Sequence, residues 1–143
     1  MLPITALLYG ALAASAALIL ESILFPVALG PILLLFAALI EEGSKFAFLL
    51  QWQKRFSHTS WVTLQTYFSL FCFGLGFALV ELTLATPPSI TILLSLAGTH
   101  LLTVMLLGYG VLSKSLSLPL RASIFVTAVA LHVAYNLFFA TLQ

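Results

Sequence analysis

Charge is what this sequence has least of. Asp, Glu, Lys and Arg make up only 6% of its 143 residues, against roughly 25% in a soluble domain. So few charged groups cannot cover a surface that faces water. That excludes an ordinary soluble domain and leaves lipid as the solvent. The net charge of +1 lacks the basic field that nucleic-acid binding requires, so no nucleic-acid partner is expected. Cys72 is the sole cysteine. It excludes an internal disulfide and a cysteine-rich metal site, and it is expected to pack. No tandem repeat, linker or low-complexity tail interrupts the chain, so residues 1–143 read as a single transmembrane domain.

What fills the sequence instead is apolar: 62% of the residues are hydrophobic and the mean hydropathy is +1.20. A bilayer core about 30 Å thick takes about 20 helical residues to cross. Five stretches qualify, at 2–20, 31–50, 62–85, 90–112 and 122–142. The expected fold is therefore all-α, a polytopic transmembrane bundle of about five helices. Pro31 suits the first turn of a helix, and Pro87-Pro88 reads as the turn between helices 3 and 4. The small residues of "ALAASA" resemble a signal-peptide cleavage region. The first stretch lacks a basic leader and is long for such a peptide, so it reads as a retained helix. Lys54, Arg55, Lys114 and Arg121 fall in or beside the second and fourth connections. The basic bias puts both on the cytoplasmic side, with the N-terminus inside and the C-terminus outside.

Against this background the buried-depth polar residues stand out. The stretch "LIEEGSKF" puts Glu41, Glu42 and Lys45 inside helix 2. Glu81 falls on helix 3, His100 on helix 4, and His132 with Asn136 on helix 5. Helix 1 contributes none and reads as a peripheral span, leaving residues 31–142 as the core. Glu41, His100 and His132 each lie about ten residues into their stretches, roughly 15 Å deep and near the midplane. Glu81 sits nearer the outer end, roughly 7–8 Å from it. A charge at such depth costs about 2.5–3.5 kcal/mol on insertion scales, so these groups are expected to face the bundle interior and find partners. Glu41 and Lys45 share a face at i, i+4 and are expected to pair. Glu41 and Glu42 are about 100° apart on the helix. One is expected to line the site and the other to reach a neighbouring helix or the rim.

Each of these residues has an ordinary reading. A membrane histidine can serve as an interhelical hydrogen-bonding residue, and Glu41 with Lys45 as a structural pair. Tyr67, Tyr109, Tyr135 and the phenylalanines read as packing, Trp52 and Trp61 as interfacial anchors, and His58 as a solvated loop residue. Gly43, Gly74, Gly76, Gly98, Gly108 and Gly110 read as close-packing positions. The set is harder to explain so. Three carboxylates, one ammonium and two imidazoles on four helices are not needed as glue, because Ser and Thr do that at lower cost. Protons or a divalent cation would neutralise the excess negative charge, and either makes the site capable of chemistry.

Glu41-Glu42-x-x-Lys45, Gly74-x-Gly76-Phe77-x-x-x-Glu81, His100 and His132-x-x-x-Asn136 fall in this order on consecutive helices. The pattern resembles the PrsW family of intramembrane proteases. More distantly, it is similar to the type II CAAX prenyl proteases and bacteriocin-processing (CPBP) glutamic proteases. The resemblance implies a polytopic enzyme of a prokaryotic cell membrane that cuts membrane-embedded or membrane-anchored proteins such as anti-sigma factors. It implies Glu41 as the principal carboxylate, Glu42 beside it, and Glu81, His100, His132 and Asn136 as further site residues. Lys45 and Phe77 take supporting places.

The expected reaction is peptide hydrolysis by a water that Glu41 activates, with Glu81 or a histidine assisting. His100, or His132 with Asn136, would donate to the oxyanion. No cofactor is favoured. Zinc held among Glu41, Glu81, His100 and His132 is the alternative activator, although no HExxH helix is present. Outside proteolysis, the same cluster would suit cation or proton handling, or a scaffold role.

Overall fold

The computed structural model describes residues 3–25, 31–56, 64–84, 90–113 and 115–140. They form five α-helices: α1 Pro3–Leu24, α2 Pro31–Phe56, α3 Leu64–Leu84, α4 Ile90–Leu112 and α5 Leu118–Ala140. Among the described residues there is no strand, and the chain is an all-α helical bundle. Proline placement permits this. Pro3 and Pro31 open α1 and α2, and Pro119 is the second residue of α5, where a missing N–H leaves no helical bond unmade.

Four helices are long and apolar enough to cross a membrane, namely α1, α3, α4 and α5. The chain is thus an integral membrane protein. The exception among the five expected spans is α2, and its charges are the reason. Glu41, Glu42, Lys45, Lys54 and Arg55 all fall within its 26 residues. The faces turned outward carry large apolar side chains such as Ile4, Leu8, Phe68, Leu94 and Val126. That is the pattern of a bundle that keeps its grease for lipid.

Helix α1 packs on α3 and α2, α3 on α4, and α2 also on α4 and α5, while α4 meets α5. The α1–α3 seam is made of small residues: Ala6, Gly10, Ala13, Ala14 and Ala17 are buried along α1. A Cβ added at Gly10 would collide with the Phe73 carbonyl, and one at Gly76 with the Leu7 carbonyl. The two backbones touch, which is how helices gain dispersion contact where lipid offers no hydrophobic drive.

Three helix ends differ from expectation. Helix α1 continues one turn further and takes in Glu21. Helix α2 continues to Phe56 and takes in Trp52, Lys54 and Arg55, which the sequence placed at a loop. Trp52 is consequently buried in the core rather than an interfacial anchor. Gln53 donates from its Nε2 to the Val111 carbonyl at 2.9 Å, tying this extension to α4. Helix α5 begins at Leu118, and Arg121 in its first turn donates to the Ser113 and Leu116 carbonyls at 3.0 and 3.3 Å. His58, Trp61, Pro87-Pro88 and Lys114 lie outside the described residues.

Candidate active site

Helix α2 runs against both α4 and α5, and its inward face at 41–45 meets His100 and His132 there. Lys45 is the hub. Its Nζ lies 2.5 Å from Glu42 Oε1, 2.8 Å from His100 Nδ1 and 3.3 Å from Thr103 Oγ1. An ammonium has three donors and no acceptor, so all three are used. The Phe77 ring closes the remaining side, with Nζ 4.3 Å from its centroid. Phe77 also packs on the His100 ring at a centroid distance of 5.0 Å. Lys45, Glu42 and His100 are each 0% exposed. A charge buried so completely persists only with partners of this quality.

The hub fixes the protonation pattern around it. Because Lys45 donates to His100 Nδ1, that nitrogen is the acceptor and the ring proton sits on Nε2. His100 Nε2 then donates to Glu81 Oε2 at 2.5 Å. On the other side, His132 Nδ1 donates to Glu42 Oε1 at 2.7 Å. This leaves His132 Nε2 facing Glu41 Oε2 at 3.4 Å, longer than a good hydrogen bond. The two imidazoles meet edge to face at 5.3 Å.

Glu81 reaches this depth although it lies only three residues from the end of α3. The α3 and α4 helices are antiparallel neighbours. Side chains lean toward the N-terminus of their own helix, so Glu81 and His100 lean toward each other. Glu81 is also within hydrogen-bonding reach of Glu41.

The pairings depart from expectation in three ways. Lys45 bridges to Glu42 at i, i+3, not to Glu41. Glu41 and Glu42 do not diverge; they straddle His132 and face its two nitrogens. Asn136 is half-buried one turn beyond His132 and stays out of the network. Sequence reasoning missed two residues. Thr103 shares the His100 face at i+3, a spacing that was open to inspection. Glu21, on the added turn of α1, lies within electrostatic reach of Glu41 and Glu81. The run Ser22-Ile-Leu-Phe25 before Pro26 is the signal that the helix continues.

Glu41 Oε2 is buried without a hydrogen-bond partner, as is Glu42 Oε2. One ligand-type atom each of Glu41, His100 and His132 lies within 4.8 Å of the others. A water oxygen about 2.8 Å from each fits that span. A divalent cation fits it in distance but less well in chemistry. A histidine that ligates through one nitrogen donates its other N–H to an acceptor. His132 meets that condition through Glu42. His100 does not, because the group at its Nδ1 is an ammonium.

No family model matches the chain, and no match is found among curated proteins or solved structures.

Proposed function

We propose that the chain is an intramembrane endopeptidase that hydrolyses peptide bonds with a water activated by Glu41. The observation that carries this reading is the Glu41 carboxylate. It is held in a polar core between two tautomerically fixed imidazoles, and its inward oxygen has no partner. A buried acceptor without a donor is costly, and a water or a substrate group is what completes it.

The chain's own groups divide the work. Glu41 takes the water proton. His132, locked by Glu42 with its Nε2 lone pair inward, orients the water and passes the proton on to the leaving nitrogen. His100 directs its Nε2–H toward the oxyanion, sharing it with Glu81. Lys45 sets both tautomers at once and acts through Glu42 and His100 rather than on substrate. Among the described residues, no serine or cysteine hydrogen-bonds to these groups as a nucleophile would. The Lys45–His100 contact favours the metal-free mechanism over zinc, which would be held by Glu41, His100 and His132 and would supply Lewis-acid activation of the water.

In this reading α2 crosses the membrane with the other four helices, its charges shielded by α4 and α5. The site lies near the midplane, and the substrate is a membrane-embedded or membrane-anchored protein offering locally extended backbone, since helical carbonyls are already bonded. The PrsW-like motif order supports a prokaryotic cell membrane, and the basic residues of the second and fourth connections support the N-inside orientation. Purified protein and a panel of membrane-anchored reporters in proteoliposomes test the proposal. Cleavage by wild type, abolished in Glu41→Gln, is expected. Full cleavage by Glu41→Gln overturns it, and loss of cleavage on stoichiometric zinc removal replaces the metal-free version.

A further inference from the structure

The chain has four acidic residues, and the mechanism uses three of them. The fourth, Glu21, comes from α1, three residues before that helix ends. Its Oε1 is buried without a hydrogen-bond partner. Glu21 also lines a cavity of about 330 Å³ between the end of α1 and the start of α2, walled by Leu18, Ser22, Phe25, Leu33 and Ala37. Leu33, Ala37 and Glu41 recur every four residues and so form one row down α2. The cavity therefore stops one turn short of the proposed catalytic carboxylate.

Building on the protease reading, we infer that this cavity is a substrate subsite for a basic side chain. Its aliphatic stem lies along Leu18, Phe25, Leu33 and Ala37, and its cationic head meets Glu21. The charge balance points this way. Glu21, Glu41 and Glu81 are within electrostatic reach of one another, and Glu42 lies beside them. Among the described residues the only cation beside them is Lys45, whose three donors are already taken. The other described cations are remote. Lys54 and Arg55 occupy the last turn of α2, at the opposite end of the bundle, and Arg121 is held by the Ser113 and Leu116 carbonyls. An unpaired carboxylate oxygen on a residue that lines a mostly apolar cavity is costly unless a cation or donor arrives. Lysine and arginine suit such a cavity because their stems are apolar and only their tips are charged.

The geometry also gives a register. Glu21 is roughly 5 Å from the outer end of α1 and Glu41 roughly 15 Å from that of α2, so their levels differ by about 10 Å. An extended substrate advances about 3.3 Å per residue. The basic residue thus falls about three residues from the scissile bond, on the side toward the α1–α2 connection.

Two measurements on the purified full-length protein test this. In the first, n-butylguanidinium chloride is titrated while thermal stability is followed. It is expected to stabilise wild type and to leave Glu21→Gln unmoved; equal responses overturn the subsite. In the second, a single lysine is walked along a cleaved membrane-anchored reporter, with methionine as the neutral comparison. Wild type is expected to prefer lysine about three residues from the cut by roughly tenfold, and Glu21→Gln to bring that ratio near one. A ratio that Glu21→Gln leaves unchanged, or no preference at any position, overturns the assignment. Ala37→Phe fills the cavity from the α2 side and is expected to abolish both responses, so a folding failure of Glu21→Gln does not shelter the idea. If no reporter is cut while butylguanidinium still separates wild type from Glu21→Gln, the protease reading falls and the cation site stands.

Discussion

Helix α1 meets α3 through glycine and alanine, whereas α2 meets α4 and α5 through carboxylates, imidazoles and an ammonium. Both seams lie in the same bilayer and face the same problem of adhesion without a hydrophobic drive. The first solves it by backbone contact, with Gly10 against Phe73 and Gly76 against Leu7. The second buries Glu42, Lys45, His100 and His132, although a chain that can build the first seam has no need of them for cohesion. Ionic groups kept at that expense, with carboxylate oxygens left unpaired among them, are what the proposed hydrolysis would use. The comparison can be broken by showing that the polar seam is merely adhesive, or sharpened by separating stability from activity at each seam.

Glu41→Gln separates them most sharply. It removes a proton acceptor and keeps the shape, so reporter cleavage is expected to fall by about 10²–10⁴-fold, the range for a lost general base. Thermal stability should hold or rise, since Glu41 Oε2 makes no hydrogen bond to lose. A large drop in stability at unchanged cleavage would make the polar seam an adhesive one.

Lys45→Met should do the reverse in stability. It leaves Glu42 and His100 without their shared donor, and breaking a buried ion pair from one side costs about 3–5 kcal/mol. Chemical denaturation in detergent micelles measures it. The double variant Lys45→Met/Glu42→Leu should recover part of that loss, because no uncompensated charge remains, while cleavage stays low because His132 loses its tautomer lock. Full recovery of activity in the double variant would sink the assigned role of Lys45.

The span pattern and the meeting of α2, α3, α4 and α5 at one polar centre were legible because hydropathy and depth are one-dimensional properties of a chain. Glu41, His100 and His132 share a level that residue counting can find, whereas Glu81 counts as shallower and meets them by leaning back along α3. Pairing was less legible. Positions i+3 and i+4 both lie on the face of a given residue, so Lys45 had access to Glu42 and to Glu41 alike. The structure pairs Lys45 with Glu42 and leaves the His132 ring between the two carboxylates. Helix ends were hidden by the same apolarity that made the spans obvious. With Ile23, Leu24 and Phe25 following Glu21, hydropathy gives no stop. The burial of Trp52 depended on how far α2 extends alongside α4, which no local pattern records.

At the small-residue seam, Gly76→Val is expected to cost about 1–3 kcal/mol by forcing α1 away from α3. A Cβ there meets backbone rather than a movable side chain. Gly98→Ala is the internal control, with nothing within 4 Å of an added Cβ, and gains a little from higher helix propensity. If both variants unfold alike, backbone contact does not explain the α1–α3 seam, and its contrast with the polar seam loses its basis.

The smallest effect is expected at Phe77, where the two seams meet on α3. Its ring covers the Lys45 ammonium at 4.3 Å and packs at a tilt against His100. Phe77→Leu keeps an apolar wall but removes the ring quadrupole, a loss of about 0.5–2 kcal/mol in a desolvated site. It also loosens the His100 ring, whose Nε2–H must keep its aim. Stability should therefore fall modestly, and kcat by more than the change in KM, because oxyanion donation is felt in the transition state. Phe77→Tyr restores a π face and should recover most of the stability. A Leu variant that alters KM alone would place Phe77 against substrate instead of behind Lys45 and His100, and would move the boundary between the two seams.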